Sequence, residues 1–399
     1  MTEIIWKDYF RLKGANAEKL VHDIATKSFL VDWCFLNPKL PNGKELCDLL
    51  VVFDDIVIIW QIKDLKLGTD GKYKKAEVEK NLKQVSGARR QLFEIKTPIK
   101  LENNRRKIEI FDPTKINKIF LISVLFGEGE DFWSFHEEIK GNKAHIFTRN
   151  FTEIVLEELD TISDFVDYLE SKELFIDEKK SLVIMWGEEE FLAYYLKNNR
   201  NLDELKKYDK LFIWDWSRED VQKRPEYKAK KKEDEFSYGR DDIINRAHEW
   251  EEMYELVARE LARPNRFERR CLGKSFYEAH VIAHKEEKNN QFRRIMFSWD
   301  TTYCFLFQES NKNRKNRISM LAALCEIARW KYPQNHKVVW IATEMKIRPR
   351  CSYDFCFLNL PTRTEEDQRN MEKLQKETGI LVDPIIKSIH EDEYPTTIK

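Results

Sequence analysis

Apolar positions along residues 16–29 recur three and four apart, as Ala17, Leu20, Val21, Ile24, Ala25 and Ser28. That is the spacing of one buried helix face. Asn16 stands where an N-cap belongs, with Glu18 in the first turn. From Trp33 to Lys63 the period changes to short β-branched or aromatic runs, separated by Pro41-Asn42-Gly43 and Asp54-Asp55; these read as strands and turns. Helical spacing returns over 74–96 through Val78, Leu82, Val85 and Leu92. A strand is predicted over 116–126, a helix near 130–138, a strand over 143–149 and a helix over 151–172. The order α-β-β-β-α-β predicts an α/β fold with a mixed sheet.

Between Asp177 and about Glu235 the pattern loosens into two short strands, a short helix and a run of charges. A long helix is expected over 249–262. Strand, strand, helix, strand, strand then follow within 293–360. The chain therefore divides into a first α/β domain over 1–175, a connector over 176–238 and a second α/β domain over 239–399. No fixed-period repeat or low-complexity tract interrupts it.

Charge narrows the choice of partners. The 69 basic and 70 acidic residues nearly cancel, to a net −1. Bulk coating of nucleic acid is excluded, but a local basic groove is not. The seven cysteines form no CxxC pair and lie mostly in apolar runs, which reads as buried free thiols in a reducing cytoplasm. No apolar run approaches a membrane span and the first residues lack a signal core, so neither membrane nor export is expected. The chain has no P-loop, serine elbow or kinase signature.

The hairpin over 46–63 carries the candidate chemistry. With Asp54-Asp55 as a two-residue turn, Asp48 lies opposite Gln61. Alternation then places Leu46, Asp48, Leu50 and Val52 on one face with Val57, Ile59, Gln61 and Lys63. Three polar residues gather at the end of an aliphatic surface, where burial is costly unless they are paired or bind a metal. Mg²⁺ or Mn²⁺ favours such oxygen donors: the Asp48 carboxylate, the Gln61 amide and the Ile62 backbone carbonyl, with Glu18 as a second carboxylate. Lys63 would then orient or deprotonate a water, or stabilise charge growing on a phosphate.

Asp48 followed thirteen residues later by Gln61-Ile62-Lys63 across a hairpin resembles the PD-(D/E)XK nuclease superfamily. The glutamine makes it similar to the QxK version in Mrr-like restriction endonucleases. The resemblance covers roughly residues 10–150 and implies a restriction-endonuclease-like core. It implies metal binding by Asp48 and Gln61, catalysis by Lys63, support from Glu18, and Gln84 near the scissile phosphate. Lys83 and Arg90, on the same helix, are expected nucleic-acid contacts. Cys47 stands where the family name has proline, and neutral Gln61 leaves less charge to hold a metal.

The function expected is metal-dependent endonucleolytic hydrolysis of DNA, in defence against foreign DNA by kinship with restriction enzymes. The second domain would select substrate, a partner protein or a homo-oligomer. Two alternatives use the same residues: a catalytically weak nucleic-acid or protein binding module, and an RNA-cleaving nuclease. Elsewhere, His280 and His284, Cys351 and Cys356, Lys228 to Lys232, and the trio Asp300, Glu344 and Asp354 read as structural.

Overall fold

The computed structural model describes residues 2–66, 68–70, 72–103, 105–106, 108–127, 135–178, 181–184, 187–208, 210–213, 218–248, 254–285, 291–298, 300–309, 314–347, 351–382, 385 and 390–395. Two compact units divide between Tyr227 and Lys228.

In the first unit α1 (Thr2–Phe29) leads into β1 (Cys34–Leu36), β2 (Leu49–Phe53) and β3 (Ile56–Leu65), followed by α2 (Lys75–Phe93). A small pair, β4 (Lys100–Leu101) and β5 (Glu109–Ile110), precedes β6 (Lys118–Gly127), β7 (His136–Ile139) and β8 (Asn142–Thr148). The chain continues through α3 (Arg149–Glu158), α4 (Ile162–Glu178), β9 (Ser181–Ile184), α5 (Glu188–Lys197), α6 (Asp203–Lys206), β10 (Lys210–Ile213) and α7 (Arg218–Lys223). The main sheet runs β1-β2-β3-β6-β8-β7. It is mixed: β3/β6 and β6/β8 are parallel and the other pairs antiparallel.

The β2–β3 turn is Asp54-Asp55, with Asp54 at φ 51°, and Leu49 pairs with Trp60 as the alternation predicts. Leu50, Val52, Val57 and Ile59 form one core with Val78, Leu82, Val85 and Leu92 of α2. Their sequence neighbours point the other way, where Trp60 stacks on Phe165 at 5.7 Å and Phe165 meets Phe29 of α1 at 5.2 Å.

Four expectations change, the first being the single helix expected over 151–172, which breaks after Glu158 and resumes at Ile162. The first helix does not begin at Asn16 but continues back to Thr2. No proline stands in the way, and an isolated glycine such as Gly14 does not end a helix. Asn16 is therefore an exposed residue within the helix rather than its cap. The helix expected near 130–138 gives way, in its described part, to a strand over His136–Ile139, which turns back onto β8 through Lys140-Gly141, both at positive φ (52° and 74°); residues 130–134 of that expectation lie outside the described residues. Finally, 176–238 is no separate connector. The Lys172 ammonium of α4 meets the Glu188 carboxylate of α5 at 2.6 Å, both buried, and Tyr227 donates to Glu158 at 2.5 Å. Residues up to Tyr227 thus belong to the first unit.

α8 (Pro225–Glu233) leads into the helices of the second unit: α9 (Glu235–His248), α10 (Glu255–Ala262) and α11 (Arg266–Lys285). Part of the helix expected over 249–262 falls on 249–253, outside the described residues. The sheet then follows as β11 (Gln291–Ser298), β12 (Thr301–Gln308), α12 (Arg314–Lys331), β13 (Lys337–Glu344) and β14 (Asp354–Asn359), with α13 (Glu365–Thr378) after it. Strand order is sequential, with α12 crossing over between parallel β12 and β13. Both units are α/β.

Candidate functional site

The site forms where one ladder runs out. β2 pairs with β3 only as far as Leu49, and one further bond carries the Asp48 N–H to the Trp60 carbonyl at 3.2 Å. The chain before Asp48 turns off toward Pro38, whose carbonyl accepts from Leu46 at 2.9 Å. The next N–H on this edge of β3, that of Ile62, has passed the end of its partner strand. Asp48 Oδ2 accepts from it, and also from Gln61 Nε2 at 2.6 Å. Asp48 and Gln61 are only 6% and 8% exposed. In a strand the N–H and C=O of a residue leave by the same edge, so the Ile62 carbonyl lies on the Asp48 side as well.

Burial pushes the Asp48 carboxyl up to about 7. The Ile62 N–H opposes this, Glu18 and Glu45 reinforce it, and Lys63 draws it back. Glu18 is raised too, by burial first and Glu45 besides, against a hydrogen bond from Asn37 at 3.4 Å. It sits deep within α1 rather than in a first turn, so the helix dipole does not account for it. Glu45 escaped the sequence reading because it precedes the strand in a loop; its partner there is Lys39, at 3.7 Å.

Asp48 and Gln61 open onto a cleft of about 300 Å³ that Glu45, Leu46, Gln84, Gly87, Ala88, Arg90 and Gln91 also line. Gln84, Gly87, Ala88 and Gln91 are spaced three and four apart, one face of α2. Gln84 and Arg90 are thus brought to the Asp48 pair. Lys83 is not among the lining residues, and its amine lies 3.8 Å from Glu79 on its own helix. A single residue step turns a helix by about 100°, which separates it from Gln84. Lys63 extends from the same strand face as Gln61 and meets Glu77, in the first turn of α2, at 3.5 Å.

One buried residue that the sequence reading passed over completes the site. Asn81 of α2, wholly buried, donates from Nδ2 to the Gln61 carbonyl at 3.2 Å and to Ser123 Oγ of β6 at 2.8 Å. Its signal was legible: it stands three residues after Val78, a polar residue on the apolar stripe.

Among the described residues no group of three or more His, Cys, Asp or Glu is placed to share one metal ion. A cation here would rest on Asp48, the Gln61 amide and the Ile62 carbonyl, with water completing its shell. This donor set fits Mg²⁺ or Mn²⁺, which take one or two carboxylates and keep water, and not a structural zinc. The Gln61 nitrogen faces Asp48; rotating the amide would present its oxygen instead. A buried carboxylate raised by two acidic neighbours is also the group a cation would relieve.

The other candidates do not assemble. His280 Nε2 lies 2.8 Å from the Glu344 carbonyl and its ring stacks on Phe307. Among the described residues no two cysteines are joined by a disulfide. Lys230 is buried against Asp234 at 2.5 Å. Asp354 is held by Arg314 and Arg317, Asp300 by Lys337, and Glu344 by Ser352. No described helix is long and apolar enough to cross a membrane. Comparison with protein-family models, curated proteins and solved structures finds no match.

Proposed function

We propose that the first unit is a metal-dependent nuclease of the PD-(D/E)XK kind, in its QxK form, hydrolysing phosphodiester bonds of DNA. The observation that carries this is the pairing of buried Asp48 with Gln61 across the end of a hairpin, in a cleft walled by Gln84 and Arg90. A bound Mg²⁺ or Mn²⁺ would polarise the phosphate and acidify a water. Asp48 and Gln61 hold it, with Glu18 supporting through its charge. The Lys63 ammonium exchanges Glu77 for the oxygen on which charge develops. Arg90 and Gln84 grip the backbone phosphates, contacts that position a strand without reading its bases. Kinship with restriction enzymes suggests foreign DNA as the target, and the second unit as the part that selects substrate, partner protein or a second copy.

A second reading, a binding module without efficient catalysis, draws support from two contacts. Gln61 already occupies Asp48, and Glu77 already occupies Lys63. Plasmid and linear DNA, with RNA in parallel, incubated with Mg²⁺ or Mn²⁺ separate the two. Nicking or cutting is expected with wild type and stopped by EDTA or Asp48→Ala, while Lys63→Ala lowers the rate by about 10²–10⁴-fold. Cleavage that survives both substitutions removes the assignment, and binding without cleavage under either metal favours the module. RNA cut in preference to DNA reassigns the substrate.

Gly87 offers a check on where the substrate lies. A methyl group there meets nothing within 4 Å, so Gly87→Ala should stabilise α2 by about 1 kcal/mol. Gly87→Trp should fill the cleft and abolish DNA binding with little change in thermal stability. A tryptophan variant that binds and cuts normally would place the substrate elsewhere.

A further inference from the structure

Asn81 lies in the middle of α2, on the face packed against the sheet, and is wholly buried. Its amide nitrogen bridges two strands at one level, because Gln61 of β3 and Ser123 of β6 are register partners. The bond to the Gln61 carbonyl fixes the backbone from which the Gln61 side chain reaches Asp48. One turn further along the same helix, Gln84 lines the cleft. A single side chain therefore ties the wall of the cleft to its floor.

That tie carries a cost that packing does not explain. Asn81 Oδ1 is buried and finds no hydrogen-bond partner among the described residues, and such an orphaned acceptor is a net destabilisation. Leucine has the same branched outline and carries no acceptor of its own to strand, but it is bulkier and withdraws the donor that the Gln61 carbonyl and the Ser123 hydroxyl share. The neighbours at this level, Val78, Leu82 and Val85, are all aliphatic. An asparagine kept at such a place is accounted for by what its nitrogen holds.

We infer that Asn81 is a positioning residue for the metal pair: by gripping the Gln61 carbonyl and the Ser123 hydroxyl, it sets the orientation in which Gln61 meets Asp48 and the distance from that pair to Gln84. This deepens the nuclease reading above and rests on it. Asn81 touches neither substrate nor metal. It acts as residues behind metal ligands do, whose loss costs about 10–100-fold in affinity.

The test is Mn²⁺ binding to the full-length protein by titration calorimetry or electron paramagnetic resonance, with the melting temperature recorded for every variant. Asn81→Leu is expected to lower the melting temperature, because the Gln61 carbonyl and the Ser123 hydroxyl lose their donor, and in the folded protein to weaken Mn²⁺ binding by about 10–100-fold. Ser123→Ala, which removes one grip and little volume, should weaken it to a smaller degree and serves where the leucine variant folds poorly. A merely structural asparagine would move the melting temperature and leave the dissociation constant of the folded protein unchanged; that result in both variants overturns the inference. Wild type that binds no Mn²⁺ instead overturns the metal-site reading itself.

Discussion

Replacing Asp48 with asparagine is expected to abolish metal-dependent cleavage and, at pH 8 without metal, to raise the melting temperature of the first unit. The two effects share one cause. Burial, with Glu18 and Glu45 nearby, lifts the native Asp48 carboxyl to about 7, whereas in the unfolded chain it titrates near its ordinary value of about 4. Between those limits the native state holds a proton that the unfolded state has released. Stability from this group is therefore full below about pH 4 and is lost as pH rises to about 7. Three pKa units set an upper bound of about 4 kcal/mol. Asparagine keeps an acceptor for the Ile62 N–H and carries no charge, so it should recover about 1–3 kcal/mol of this at pH 8 and almost none at pH 4. At about 2–4 °C per kcal/mol for a unit of this size, the difference is readable by calorimetry across a pH series in EDTA. Mn²⁺ at a hundred times its dissociation constant should then add about 2.7 kcal/mol to wild type and nothing to the variant. A proton competes for the same oxygen, so wild-type affinity should fall by about tenfold per pH unit below 7. An asparagine variant less stable than wild type at pH 8, with neither protein responding to Mn²⁺, would make Asp48 only the stopper of an unfinished strand ladder.

The hairpin register was legible because it depends on local chemistry alone. A two-residue turn fixes which residues face each other, and alternation fixes their side, so Asp48 and Gln61 could be paired before any packing was known. The mixed sheet followed from the order of strands and helices in the same way. What stayed hidden depends on which elements pair and pack against each other. The helix expected near 130–138 lost to strand pairing, since the Lys140-Gly141 turn lets His136–Ile139 add to β8 at the sheet's edge. Gln84 and Lys83 were both expected to contact nucleic acid, and only the direction of α2 over the sheet puts Gln84 in the cleft and leaves Lys83 out of its lining. Glu45 acts on Asp48 from the loop just before the strand, where no period places it, and Asn81, a polar residue visible on the apolar stripe of α2, reveals its partners only once that helix lies over β3.

Cutting the buried pair Lys172–Glu188 should cost the first unit more stability than any exposed change. The two side chains are 2% and 3% exposed and 2.6 Å apart. Glu188 Oε1 also accepts from Tyr168 at 2.8 Å, and Lys172 donates to the Phe135 carbonyl at 3.0 Å. Burial drags the lysine down and the glutamate up, each against the pull of its partner. Desolvation thus offsets much of the attraction, and the pair as a whole adds little net stability. Removing one member is a different matter. Lys172→Met leaves a buried carboxylate whose Oε2 already lacks a partner among the described residues, a loss of about 3–5 kcal/mol, or roughly 10 °C in melting temperature. The double variant Lys172→Met/Glu188→Gln keeps an acceptor for Tyr168 and removes both charges, so it should lose far less than the sum of the single changes. Additive losses in this cycle would mean that the two groups hold the fold independently. The same pair makes the boundary testable: a fragment ending at residue 175 buries Lys172 without its carboxylate and should melt well below one ending at Tyr227. Equal melting temperatures would mean that α5 adds nothing to the sheet that carries Asp48.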